Sequence, residues 1–85
     1  MYKLSSRFVT EILDKKMVLL DTKTLLLYHL NETASFIVKK IIKKISKEEV
    51  AVLLIKKYDI SQSKAHKDIE KLLTELQRKK IIISQ

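Results

Sequence analysis

The sequence predicts an α+β fold, a three-stranded antiparallel sheet followed by a three-helix bundle, and three observations carry that prediction. Short apolar runs bounded by polar turns fill residues 8–30. From residue 31 onward the apolar spacing changes from strand-like to helical. The chain has 85 residues, 46% of them apolar, with charges spread along its length, which suits one core and one domain over residues 1–85.

Strands are expected at residues 8–13, 17–20 and 25–30, separated by Asp14-Lys15-Lys16 and by Asp21-Thr22-Lys23-Thr24. An Asp at the head of each polar segment bonds its own backbone two residues on and favours a turn, so antiparallel hairpins follow. Ala34, Ile37, Val38, Ile41, Ile42 and Ile45 then form one helical stripe, with Asn31 as the natural N-cap. Ser46-Lys47-Glu48-Glu49 has the spacing of a capping box and starts a second helix, which buries Val50, Leu53, Leu54 and Tyr58 before Asp59-Ile60-Ser61 breaks it. Ser61 caps a third helix with Ala65, Ile69, Leu72, Leu73 and Leu76 on its apolar side, ending near Lys79. The β-branched tail Ile81-Ile82-Ile83 is expected to add an edge strand or to pack over the bundle.

Composition excludes several chemistries. Cysteine is absent, so there is no disulfide framework, thiolate zinc site or cysteine nucleophile, and a reducing cytoplasm fits. Glycine and proline are also absent, which removes the P-loop, the dinucleotide-binding fingerprint and the glycine-flanked nucleophile elbow. Turns that need positive φ must therefore use Asn, Asp or Lys. No apolar run approaches the roughly 20 residues that span a bilayer, and the N-terminus shows no export signal.

His29 and His66 lie on different expected elements without acidic partners at metal-ligand spacing, so both read as surface polar residues. The acidic pairs Glu48 with Glu49 and Asp68 with Glu70 sit near helix N-termini, where capping and dipole compensation account for them. No nucleophile, base and orienting group assemble from these residues, and the chain is expected to be neither an enzyme nor a cofactor binder. The net charge of +8 favours an anionic partner without choosing among nucleic acid, membrane surface and acidic polypeptide. Lys39-Lys40, Lys43-Lys44, Lys56-Lys57 and Lys79-Lys80 fit solvated helix faces, although lysines along one groove would also speed encounter with an acidic partner.

The segment Leu25-Leu26-Leu27-Tyr28-His29-Leu30 is greasy on both strand faces instead of alternating. Either helices, tail or a second copy of the chain cover it, or it is a receptor edge. A last strand in a meander leaves one row of N–H and C=O groups unpaired, and an extended peptide completes that ladder by β-augmentation. Each added bond contributes only about 0.5–1.5 kcal/mol net, whereas burying one large apolar anchor contributes roughly 1.5–3 kcal/mol. Anchors in a pocket must therefore set specificity.

Leu19-Leu20-Asp21, Tyr28-His29-Leu30-Asn31-Glu32-Thr33-Ala34, and Tyr58-Asp59-Ile60-Ser61 ahead of a helix with Asp68-Ile69 resemble the PqqD-like family, the recognition elements for precursors of ribosomally made, modified peptides. The resemblance runs from about Phe8 to Ile83 and is most specific at the capped junction 30–34. It implies a winged-helix-like domain that binds a leader peptide as a fourth strand beside the third, in a cleft closed by the third helix, and presents it to a maturation enzyme such as a leader peptidase or a radical enzyme. Small stand-alone members point towards lasso-peptide pathways. Carried onto this chain, the peptide-binding residues are Leu25, Leu26, Leu27, Tyr28 and His29 on the strand and Lys64, Lys67, Asp68 and Lys71 on the helix rim. Leu25, Leu27 and His29 would face the cleft, and Leu26, Tyr28 and Leu30 the core. The chain departs from common members in lacking turn glycines and prolines.

Two rivals remain. A DNA-binding winged helix suits the charge, but its hairpin wing ordinarily follows the recognition helix, and arginine, the preferred reader of guanine, occurs only at Arg7 and Arg78. A homodimer through the same apolar strand is the other.

Overall fold

The computed structural model describes residues 2–84. Its elements run β1 (Tyr2–Leu4), β2 (Phe8–Leu13), β3 (Lys16–Asp21), β4 (Leu27–His29), α1 (Glu32–Ile42), α2 (Lys47–Tyr58), α3 (Gln62–Arg78) and β5 (Ile82–Ser84). The expected meander is present, with β3 in the centre of the antiparallel order β2-β3-β4. A second, two-stranded sheet pairs β1 with β5, Tyr2 opposite Ser84. The tail thus becomes a strand on a partner that sequence reading left unassigned, and Ile81 and Ile82 enter the core.

All three helices begin where polar caps stand. The Asn31 carboxamide accepts the Ala34 N–H at 2.8 Å, Ser46 Oγ accepts the Glu49 N–H at 3.2 Å, and Ser61 Oγ accepts the Lys64 N–H at 3.1 Å. Each bond satisfies an amide that the helix itself leaves without a partner. With no glycine, the chain takes left-handed backbone at Asp14, Lys15, Lys44, Asp59 and Lys80, the residue types expected for it, and also at Leu25. Asp14 and Lys15 make the two-residue link of the first hairpin, where positive φ at both positions matches the twist of the strands.

The core joins Phe8, Met17 and Leu19 from the sheet to Ile37, Val38 and Ile41 of α1, Val50 and Leu54 of α2, and Ala65, Ile69, Leu73 and Leu76 of α3. α1 rests on β1, β3 and α2, while α3 rests on α2 and β5. Two buried polar residues interrupt this core, Ser35 and Asp21. Ser35 Oγ accepts the Met17 N–H at 2.7 Å and donates to the Asn31 carbonyl at 2.7 Å, which ties the start of α1 to the start of β3. Asp21, 2% exposed, receives Arg7 Nε at 2.8 Å and Nη2 at 2.7 Å in a two-pronged pair.

The sheet departs from expectation at its third strand. Residues 25–30 were expected to be extended, yet only Leu27–His29 form β4. Leu25 lies at φ 64 and is 72% exposed, and Leu26, expected in the core, is 56% exposed. The cause is the turn. The Leu25 N–H bonds the Asp21 carbonyl at 2.7 Å and the Asp21 N–H bonds the Leu26 carbonyl at 2.9 Å, so the connection closes two residues later than the polar run suggests. α3 ends at Arg78, and no helix is long and apolar enough to cross a membrane among the described residues.

The guanidinium of Arg7 holds the Asp21 carboxyl well below the usual carboxylate range, outweighing the desolvation that opposes it. A carboxyl with a depressed folded pKa stabilises the fold fully above its unfolded pKa, about 3.9, and loses that contribution as pH falls towards the folded value. Thermal unfolding from pH 7 to pH 2 is therefore expected to show a steep fall below about pH 4. Asp21→Asn should start lower at pH 7 and fall less in that window; parallel curves would contradict the assignment.

Candidate functional site

β4 is an edge strand. Its register sets Tyr28 opposite Leu19, between the bonds Asp21 N–H to Leu26 carbonyl and Leu30 N–H to Met17 carbonyl, both 2.9 Å. In an antiparallel ladder such bonds recur at every second residue. Tyr28 therefore spends its backbone groups on β3, while the N–H and C=O of Leu27 and His29 point away from the sheet. Among the described residues no strand pairs with that side, because β5 pairs with β1. The tail does not cover this edge.

A cleft of about 600 Å³ opens between the start of α1 and α3, and Leu25, Leu27 and His29, expected to face it, are not among its lining residues; Asn31, just beyond β4, is. Ala34, Ile37, Tyr58, Ile60 and Leu72 give it apolar surface, and Asn31, Thr33, Lys64, Asp68, Lys71 and Glu75 supply its polar groups. Asn31 stands two residues after the end of β4, so the strand and the cleft are adjoining in the chain. Its walls are braced from behind. Tyr58 donates its hydroxyl to Glu32 Oε2 at 3.1 Å and meets the Phe36 ring edge-on at 6.0 Å between centroids. Burial, and then the bond to Glu32, raise the Tyr58 pKa, which keeps the phenol protonated.

The sequence-derived residues divide clearly. Lys64, Asp68 and Lys71 line the cleft; Lys67 is exposed and is not among the lining residues. Lys64 Nζ pairs with Asp68 at 3.2 Å, and Glu75 is engaged by Arg78 at 3.2 Å and Lys79 at 3.7 Å. Lys71 has no carboxylate within ion-pair reach among the described residues, so it is the lining cation with its charge uncommitted. Leu27, 57% exposed, and exposed His29 lie on β4 itself, opposite Leu20 and Val18. Tyr28 turns inward, with its ring 6.1 Å from that of Phe8 and Lys79 Nζ 5.4 Å from its centroid. Leu25 and Leu26 belong to the turn before the edge.

Sequence reading missed Asn31, Thr33, Ala34, Ile37, Tyr58, Ile60, Leu72 and Glu75 as cleft residues. Most of the apolar ones had been assigned to the core by helical period, and periodicity does not separate a core residue from one that floors a cleft. No group of three or more His, Asp or Glu side chains that could hold a metal occurs among the described residues.

The edge assignment has a direct readout in the free protein. In amide hydrogen exchange, Tyr28 and Leu19 should be protected, and Leu27 and His29 should exchange at least about tenfold faster. Equal protection across residues 27–29 would show that the second side of β4 is occupied.

A search of curated proteins found no match. Two solved structures align along almost the whole chain. One is a lasso peptide synthetase B1 complexed with the leader peptide, 29% identical, covering 98% of each chain with a TM-score of 0.90. The other is TbiB1 in complex with the TbiA(beta) leader peptide, 22% identical, covering 98% of this chain and 96% of that one with a TM-score of 0.88; at that identity the likeness speaks for the fold alone. The family model for coenzyme PQQ synthesis protein D (PqqD) matches residues 16–82, and the chain belongs to that family.

Proposed function

We propose that the chain is a peptide-binding adaptor. It takes the leader segment of a ribosomally synthesised precursor as an added strand on β4, beside α3, and presents it to a separate maturation enzyme in lasso-peptide biosynthesis. The single observation that carries this reading is the open edge at Leu27 and His29, followed two residues later by Asn31 in the lining of the cleft between α1 and α3. Support comes from membership of the PqqD family and from a structure 29% identical whose bound partner is a leader peptide.

The physical division of labour follows from the site. The guest backbone supplies donors and acceptors to Leu27 and His29, which fixes its direction and register but reads no side chain. Alternate guest side chains then enter the cleft, where the apolar surface of Ile37, Ile60 and Leu72 rewards a large hydrophobic anchor. Lys71, uncommitted at the rim, favours a guest carboxylate nearby, and the overall charge of +8 speeds the encounter. The whole of residues 1–85 acts as one such unit. Recognition in this scheme requires no bond to be made or broken by the chain itself.

The DNA-binding alternative is weaker on structural grounds. α3 mixes Asp68, Glu70 and Glu75 with its lysines, and carboxylates along a helix oppose the approach of a phosphate backbone.

The test is a titration of the labelled leader segment of a short precursor sought among the neighbouring genes. Leu27→Asp should weaken binding by at least about tenfold, or 1.4 kcal/mol, through an unfavourable charge next to the guest strand. Lys71→Glu should weaken it less and reduce its salt dependence. Val52→Asp, at an exposed α2 position, should bind as the parent does. Equal affinity for the parent and Leu27→Asp would remove the proposed site.

A further inference from the structure

The edge strand is three residues long and follows a turn without glycine, so something must hold its two outward-facing residues in line. Asp21, the last residue of β3, occupies the centre of that turn. Its Oδ1 accepts from Arg7 Nε at 2.8 Å, the Lys23 N–H at 2.9 Å and the Thr24 N–H at 3.2 Å, while Oδ2 takes Arg7 Nη2 at 2.7 Å. Its main chain bonds Leu25 and Leu26. Four of the five residues between Asp21 and β4 are thus tied to this one aspartate.

Arg7 clamps the same turn from the other side. Its carbonyl accepts the Thr22 N–H at 2.9 Å and Thr22 Oγ1 at 2.6 Å, and its guanidinium lies 5.9 Å from the centre of the Phe8 ring. The register places Phe8 opposite Asp21, so the pair closes the far end of the β2–β3 hairpin. Leu25 at φ 64 is an uncommon conformation for a residue with a bulky side chain, one that persists only where its surroundings over-determine it.

We infer that Arg7 and Asp21 are positioning residues for the peptide-binding edge. By fixing the turn at residues 21–26 they set the register of β4 and aim the Leu27 and His29 backbone groups outward, without touching the guest. The inference rests on the proposed function. It explains why the anchor is arginine, since only a two-pronged guanidinium holds both carboxylate oxygens while Oδ1 stays in place for the turn amides. Lysine would keep the charge and lose the geometry.

The experiment measures leader-peptide affinity and amide exchange for the parent, Asp21→Asn, Arg7→Lys and Val50→Ala, at a temperature where every variant is folded by circular dichroism. Val50 lies in the core, fully buried and away from the turn, so Val50→Ala is a control for lost stability alone. Both turn variants should bind the leader segment at least about tenfold more weakly and lose protection at Tyr28, whereas Val50→Ala should bind within about twofold of the parent. Arg7→Lys keeps the inference testable should Asp21→Asn not fold. Parental affinity and protection in Arg7→Lys would overturn the inference and leave the proposed function standing. Equal weakening in Val50→Ala would also overturn it, by reducing the pair to a staple of the fold. Absence of leader binding by the parent would overturn the proposed function and the inference together.

Discussion

A strand with hydrogen-bonding groups on only one satisfied side is the constraint around which this molecule is arranged. Backbone N–H and C=O groups require partners, from protein or from water, and an edge that keeps only water as partner is open to another chain. Leu27 and His29 provide that edge. It is short, which limits accidental pairing, and the groups that flank it on either side are anchored elsewhere. Upstream, Asp21 holds the turn; downstream, Asn31 caps α1 and Ser35 ties that helix to β3. The two buried polar residues of the core both serve the ends of the segment that carries the edge.

The cleft follows from how the helices are supported. α3 takes its packing from α2 and β5, and α1 from β1, β3 and α2, so the start of α1 and the face of α3 need not close on each other. The pairing of β1 with β5 matters here. It uses the tail to hold the far end of α3, through buried Ile81 and Ile82, and so keeps the tail off β4. Tyr58, the last residue of α2, and Ile60, in the link to α3, stand on either side of the left-handed Asp59 and add apolar surface to the cleft. An apolar floor with one uncommitted lysine at its rim is suited to a peptide that carries both a hydrophobic anchor and an acidic residue.

Much of the fold was legible in the sequence because its signals are local. The helical period and the caps Asn31, Ser46 and Ser61 located all three helices, and Asp14-Lys15-Lys16 marked the first hairpin, although Lys16 already belongs to β3. The third strand was overestimated because Leu25 to Leu30 has no alternation, so nothing in the run shows where the turn stops. The bonds from Asp21 to Leu25 and Leu26 decide that point, and they depend on Arg7, fourteen positions away in the chain. β1 was missed for a similar reason: three residues acquire strand character only from a partner at the opposite end of the sequence. Of the expected rim residues, Lys64, Asp68 and Lys71 line the cleft because their helix was placed correctly. Lys67 lies outside the cleft lining, one turn from Lys64 and Lys71 but turned to solvent, and Leu72 and Ile37 share the period of the core residues.

The central claim concerns backbone pairing at one strand, and isotope-filtered NMR on the labelled chain with unlabelled leader peptide observes it most directly. Cross-strand contacts are expected between guest backbone protons and those of Leu27 and His29, together with guest side-chain contacts to Ile37 and Leu72. A guest that contacts β2, β5 or the outer face of α2, and leaves the amides of Leu27 and His29 unshifted, would contradict it.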